Sequence, residues 1–100
     1  MTGAQKIQRE RFEQIEHHRR TLGHDLAYNQ NGELKQAAKY CITLDMADWP
    51  QGWDTSFAAK IARKTEDDRL AVAGALLAAE IDRLDNEDGF DKFITPTPKP

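Results

Sequence analysis

The 100-residue sequence predicts a small all-α protein, and three observations lead to this prediction. Ala, Leu, Glu, Lys and Arg, which favour helices, dominate the composition. β-Branched residues, which favour strands, never cluster along the sequence. Apolar residues recur every three or four positions in three long segments. We therefore expect a bundle of three long helices and one short helix over residues 1–94, followed by a disordered, Pro-rich tail at 95–100.

The first helix is expected to run from Thr2 to Arg20. Thr2 can cap its N-terminus, and Gly23 follows its C-terminus. At 100° per residue, the apolar side chains of this segment fall on one face: Ala4, Ile7, Phe12 and Ile15.

The second helix is expected from Asn31, as the cap, to Ala47, after a polar connection over residues 24–31. The WPQGW sequence at 49–53 then predicts a turn. A short helix is expected from Ser56 to Arg63, capped by Asp54 or Thr55.

The last helix is expected from Glu66 to Leu84, because Thr65 and three acids form a strong helix start. It carries one apolar stripe at residues 70, 74, 77, 81 and 84 and a second at 72, 76 and 79. A helix that is apolar on two sides is either central or half of an oligomer interface. We therefore expect a homo-oligomer formed through the Leu70–Leu84 helix, with Gly74 and Ala78 allowing another helix to approach closely.

Composition excludes several classes of protein. Fourteen basic and seventeen acidic residues give a net charge of -3, which argues against duplex nucleic acid as the partner. One cysteine excludes an internal disulfide framework and a cysteine-only zinc site. The longest apolar run, residues 70–79, is about half of what a bilayer span needs. The N-terminus does not resemble a signal peptide, so we expect a cytoplasmic protein without membrane contact.

Arg11 is the most informative single residue, because it lies between Ile7 and Ile15 within the apolar face of the first helix. Our first interpretation is a structural ion pair with a core carboxylate, either Glu80 or Asp45. The alternative is an anion clamp that binds a phosphate or carboxylate ligand.

His24 and Asp25 precede the second helix at a spacing that could contribute to a ligand or metal site. Short polar side chains in a connection more often satisfy backbone amides, and no known metal-binding motif is present. We therefore expect no bound metal or cofactor.

A basic cluster follows the Trp turn and consists of Lys60, Arg63, Lys64 and Arg69. Indoles next to cations could hold a nucleobase and its phosphates. The alternative is a Trp pair that closes the end of the bundle beside a solvated basic face.

Cys41 lies on an apolar face and is expected to be a core residue. The sequence contains no nucleophile elbow, no recognisable catalytic triad and no glycine-rich phosphate loop, so catalysis is not predicted.

Several short motifs occur together in a familiar order: ER at 10–11, QI at 14–15, HD at 24–25, GEL at 32–34, WP.GW at 49–53, AGAL at 73–76 and AEIDRL at 79–84. In this order and spacing, the chain resembles a group of short proteins from tailed phages and prophages. The resemblance covers about residues 10–84. It implies a small accessory function in the host-cell cytoplasm, such as handling nucleotides or countering host defence by holding a nucleotide signal.

These observations predict a binding module that sequesters a nucleotide-derived anion. The candidate ligand-binding residues are Arg11, Gln14, His24, Asp25, Trp49, Trp53, Lys60, Arg63, Arg69 and Glu80.

Two alternatives stay open at this point. One is an enzyme similar to the MazG-type nucleotide pyrophosphohydrolases, which hold magnesium with paired helical carboxylates. Glu33 and Glu80 are partial matches to that pattern, but Gln36 and Arg83 stand where the second acids should be. The other alternative is a non-catalytic protein–protein adaptor that uses the two-sided last helix.

Overall fold

The computed structural model describes residues 1–18 and 29–87 of the chain and shows an all-helical fold. Within these residues there are three long helices and one short helix, as the sequence predicts, together with one 3-10 turn at Met46–Asp48. The polar connection is described only from residue 29 onwards, and the C-terminal tail lies outside the described residues. The helices are α1 (Gly3–His18), α2 (Glu33–Thr43), α3 (Thr55–Ala62) and α4 (Glu66–Glu87).

Helix α1 begins with a reciprocal cap, which confirms the predicted role of Thr2. The backbone N–H of Gln5 donates to Thr2 Oγ1 over 3.1 Å, and the backbone N–H of Thr2 donates to Gln5 Oε1 over 2.8 Å. This is a capping box, in which two side chains satisfy two otherwise unpaired amides at the helix start.

Helix α2 begins differently from the prediction. Gly32, not Asn31, occupies the cap position. Its φ of 85° lies in the left-handed region, which is unfavourable for residues that have a Cβ atom. The Glu33 carboxylate then accepts the backbone N–H of Asn31 over 2.8 Å. The predicted Asn31 side-chain cap is therefore replaced by a glycine turn and a carboxylate that reaches back.

Helix α2 also ends at Thr43 and does not continue to Ala47. Leu44 adopts a left-handed conformation with a φ of 55°, and its N–H donates to the Tyr40 carbonyl over 2.7 Å. The Asp45 carboxylate accepts the backbone N–H of Ala47 over 2.9 Å and so begins the 3-10 turn. Local capping bonds at Leu44 and Asp45 thus end the helix before its apolar pattern does.

The N-cap of helix α3 is Asp54, which is one of the two predicted caps. Its carboxylate accepts the backbone N–H of Ser56 over 2.9 Å and the Ser56 hydroxyl over 2.8 Å. Helix α4 begins after Thr65 as predicted and continues past Leu84 to Glu87.

The core lies mainly between α2 and α4. Helix α2 buries Leu34, Ala37, Ala38, Tyr40 and Cys41 on one face. Of the two apolar stripes of α4, the one at Val72, Leu76 and Ala79 faces this core. Alanines at several of the facing positions let the two helices pack closely.

The other stripe of α4 is largely exposed. The exposed fractions are 49% for Leu70, 42% for Leu77, 58% for Ile81 and 48% for Leu84. Gly74 is the exception on this stripe, because Ile7 of α1 packs directly against it. The predicted close approach of another helix is therefore made by α1 of the same chain.

An aromatic cluster closes the end of the bundle between α2 and α3. The ring of Trp49 makes edge-on contacts with Tyr40, Trp53 and Phe57, at centroid distances of 5.1, 5.5 and 5.9 Å. The hydroxyl of Tyr40 donates to the carbonyl of Ala58 in α3 over 3.1 Å. These contacts tie the turn at 49–53 to both helices.

Within the described residues, no helix has the length and apolar character that crossing a bilayer requires.

Candidate functional site

A small pocket lies where α1, α3 and α4 meet. Its cavity volume is about 80 Å³. Because one water molecule needs roughly 10–15 Å³ by this measure, the pocket is large enough for part of a small molecule. It is lined by Glu10, Glu13, Gln14, Phe57, Lys60, Ile61, Lys64 and Val72.

Gln14 is the unusual residue of this pocket. The residue is only 3% exposed. Among the described residues, neither Oε1 nor Nε2 of its amide has a hydrogen-bond partner. Buried polar groups are nearly always paired, since leaving one unpaired costs roughly 1–3 kcal/mol. Gln14 therefore brings to the pocket lining an amide whose donor and acceptor have no partner among the described residues.

Glu10 lies one helical turn before Gln14, on the same face of α1. Burial raises the pKa of the Glu10 carboxyl above its ordinary value, and the nearby Glu13 carboxylate raises this pKa further. The Lys64 ammonium group opposes both effects by favouring the charged form. The α1 side of the pocket thus carries two carboxylates and an amide.

The α3 side of the pocket carries positive charge. Lys60 is near the end of α3, and Lys64 follows four residues later in the turn before α4. Lys60 is exposed and Lys64 is half-buried. The lining also includes the apolar side chains of Phe57, Ile61 and Val72. The pocket can therefore offer hydrogen bonds, positive charge and apolar surface to a small ligand.

Arg11 forms an ion pair inside the chain, but with a different acid from those expected. Its Nη2 lies 3.5 Å from Asp82 Oδ2, and its side chain is 15% exposed. Asp45 is used instead in the cap of the 3-10 turn. Arg11 does not line the pocket, so the structural interpretation describes it better than the anion clamp.

Glu80 is neutralised by its own helix. Arg83 Nε donates to Glu80 Oε1 over 2.8 Å, and Arg83 Nη2 donates to Glu80 Oε2 over 3.1 Å. Both side chains are about 95% buried, with exposed fractions of 4% and 5%. Lys35 Nζ lies 3.9 Å from Glu80 Oε2 as a further cation. Glu80 is therefore part of a core ion pair and does not line the pocket.

The remaining predicted site residues do not come together at the pocket. Trp49 is 7% exposed and its ring is covered by the aromatic cluster, which leaves no face for stacking with a base. Trp53 is half-buried in the same cluster. Arg69 donates from Nη1 to the Cys41 carbonyl over 3.0 Å, and Arg63 is an exposed C-cap of α3. Neither arginine lines the pocket.

His24 and Asp25 lie outside the described residues, so their predicted contribution stays a prediction.

The carboxylates of the described residues do not assemble into a metal site. In this part of the chain, no group of three or more His, Cys, Asp or Glu side chains is placed to hold an ion. The Glu33 carboxylate accepts a hydrogen bond from the backbone N–H of Asn31, and the Glu80 carboxylate accepts one from Arg83. Both acids of the partial MazG-like pattern therefore have structural partners within the chain. The described structure thus provides no support for the pyrophosphohydrolase alternative.

Sequence reasoning selected Gln14 and Lys60 but did not connect them with Glu10, Glu13 and Phe57. The available signal was the position of Gln14, seven residues after Ile7 and therefore on the face of α1 that packs against α4. A glutamine on such a face is as unusual as Arg11.

Comparison with known proteins adds no family. No protein-family model matches the chain, and comparison with the curated proteins and with the solved structures also finds no match. The resemblance to short tailed-phage proteins therefore stays a prediction.

Proposed function

We propose that this chain is a small binding module that sequesters a nucleotide-derived anion in the pocket between α1, α3 and α4. The observation that carries the proposal is Gln14, whose buried amide has no partner among the described residues. An apolar residue there would avoid an expense of roughly 1–3 kcal/mol for each unpaired group. Hydrogen bonds to a ligand would satisfy the Gln14 amide and would explain why a glutamine occupies this buried position.

The chemistry of the pocket suits a nucleotide better than a purely apolar ligand. The Gln14 amide offers the paired donor and acceptor that match the edge of a nucleobase. Lys60 and Lys64 supply two ammonium groups for phosphate oxygens. The apolar side chains of Phe57 and Ile61 also line the pocket and would contact the body of the ligand.

Sequestration, not conversion, is the proposed outcome. A nucleophile activated by a neighbouring base is not found among the lining residues. In the phage setting that the resemblance implies, a protein that holds a nucleotide signal in the host cytoplasm counters host defence by lowering the free concentration of that signal.

Isothermal titration calorimetry on the full chain tests the proposal with mononucleotides, cyclic dinucleotides and ADP-ribose. We expect heat of binding with at least one of these probes. Lys60→Ala should weaken binding, because it removes one ammonium group from the pocket. Lys39→Ala is the matched control, since Lys39 pairs with Asp48 away from the pocket. Absence of binding by every probe, or equal losses in both variants, would contradict the proposal.

A second candidate function is self-association through α4. The exposed residues Leu70, Leu77, Ile81 and Leu84 are spaced seven, four and three positions apart, which is the spacing of a coiled-coil seam. A second copy of the chain that pairs its own α4 with this stripe would cover these side chains.

Light scattering coupled to size-exclusion chromatography measures the mass in solution and tests self-association. We expect a dimer for the wild type and a monomer for Ile81→Glu, because the new charge lies in the exposed stripe. Leu76 cannot serve for this test, since it is 1% exposed and belongs to the core. A monomeric wild type at 100 times the concentration used for calorimetry would exclude the dimer.

A further inference from the structure

We infer that the pocket selects nucleotides whose base carries an exocyclic amino group, as adenine and cytosine do, over those with a carbonyl oxygen at the same position. This inference rests on the proposed function and specifies which part of the nucleotide the pocket contacts. It follows from how hydrogen-bond acceptors and donors are divided between the α1 side and the α3 side.

The α1 side of the pocket is rich in acceptors. Glu10 and Gln14 are one helical turn apart, so the carboxylate and the amide face the same space. An ionised carboxylate only accepts hydrogen bonds, whereas the amide accepts through Oε1 and donates through Nε2. An amino group has two N–H bonds and can donate to Glu10 and to Gln14 Oε1 together. The ring nitrogen beside that amino group can accept from Gln14 Nε2.

A carbonyl oxygen in place of the amino group reverses this match. The oxygen would face the Glu10 carboxylate, so two acceptors would oppose each other without a proton between them. Uracil and hypoxanthine present such an oxygen where cytosine and adenine present the amino group. Because a buried acceptor without a partner is costly, the oxo bases should bind more weakly.

The orientation of the ligand follows from the charges. Its phosphate is expected near Lys60 and Lys64 on the α3 side, and away from Glu10 and Glu13 on the α1 side. A cavity of about 80 Å³ holds the edge of a base but not a whole nucleotide. The sugar and phosphate then lie towards the mouth, where Lys60 is exposed.

Two pairs of mononucleotides test the selectivity, because each pair differs chiefly at the amino position. Calorimetry at pH 7 compares AMP with IMP and CMP with UMP on the full chain. We expect the amino member of each pair to bind at least about tenfold more tightly, the effect of one hydrogen bond to a charged group. Glu10→Gln should remove most of this difference, because an amide can donate to a carbonyl oxygen as well as accept from an amino group. Lys60→Ala should weaken both members of each pair equally and leave their ratio unchanged.

The outcomes separate this inference from the proposed function. Equal affinities within both pairs, or tighter binding of IMP and UMP, overturn the amino-group selectivity while nucleotide binding stands. Absence of binding by all four mononucleotides overturns the selectivity. If cyclic dinucleotides and ADP-ribose also fail to bind, the proposed function is contradicted as well. The decisive ratios come from the wild-type chain, so they do not depend on whether a variant folds.

Discussion

Ile7 of α1 packs directly against Gly74 of α4. A Cβ atom added at Gly74 would lie 2.6 Å from Ile7 Cδ1 and 2.7 Å from Ile7 Cγ1, which is closer than real Cβ contacts allow. The missing side chain at position 74 therefore sets how closely α1 approaches α4. Because Gln14 lies on the same helix as Ile7, this contact also helps to position the pocket wall.

Gly74→Ala should destabilise the protein by about 1 kcal/mol. Alanine gains about 1 kcal/mol in helix propensity over glycine, but overpacking against Ile7 costs roughly 1–3 kcal/mol. Urea unfolding followed by circular dichroism measures the difference. In an Ile7→Ala background the clash is removed, so Gly74→Ala should instead stabilise by about 1 kcal/mol. Equal effects in both backgrounds would show that the two residues do not interact.

Arg83→Met should destabilise the fold by about 3–5 kcal/mol, because it leaves the Glu80 carboxylate buried without its bidentate partner. The matched control is the double variant Glu80→Leu/Arg83→Met, which removes both charges. It should be within about 1 kcal/mol of the wild type, since a buried ion pair contributes little over apolar packing. Denaturant unfolding of both variants gives the comparison. A single variant as stable as the double would contradict the role of the pair.

Gln14→Leu should stabilise the ligand-free protein by about 1–3 kcal/mol, because leucine has a similar size and removes two unpaired polar atoms. Thermal and urea unfolding without ligand measure this gain. Gln8→Leu is the control in the same helix: Gln8 is exposed, so its replacement should change the free energy of unfolding by less than about 0.5 kcal/mol. Loss of stability in Gln14→Leu would mean that the glutamine is already satisfied.

Stability at acidic pH should depend on Asp67. A hydrogen bond from the Lys6 ammonium group, followed by one from Thr65, lowers the pKa of the Asp67 carboxyl from 3.8 to about 2. The folded state therefore binds this proton less readily than the unfolded state. The stabilisation is present above pH 3.8 and is lost as the pH falls towards 2.

Urea unfolding between pH 2 and pH 6 measures this dependence. Asp67→Asn should lose less stability than the wild type over the acidic part of the range. Lys6→Met should behave in the same way, because it removes the cation that lowers this pKa. Identical pH profiles for the wild type and both variants would exclude the interaction.

Cys41 should be unreactive in the folded protein. Burial raises the pKa of its thiol to about 11, and the residue is 0% exposed. The reactive thiolate is therefore scarce at pH 8 and is shielded from reagents. Ellman's reagent should detect the thiol only after denaturant is added. Rapid reaction of the native chain would show that the α2–α4 core opens readily.

Helix positions could be predicted from the sequence because they depend on neighbouring residues. The Thr2 cap, the Asp54 cap and the acids after Thr65 act within one helical turn, so reading the chain locally was enough. The end of α2 was missed because the apolar pattern continues through Leu44. The capping bonds there depend on backbone conformations that the pattern does not reveal.

The four helices of the described residues could be expected from local sequence alone, since helical periodicity and capping are short-range effects. The packing of the helices establishes which stripe of α4 is buried, that Arg11 pairs with Asp82, and that Gln14 lines one pocket with Glu10, Lys60 and Lys64. Those relationships join residues up to about 70 positions apart. They depend on the angles and distances at which whole helices pack, which no local pattern of residues specifies.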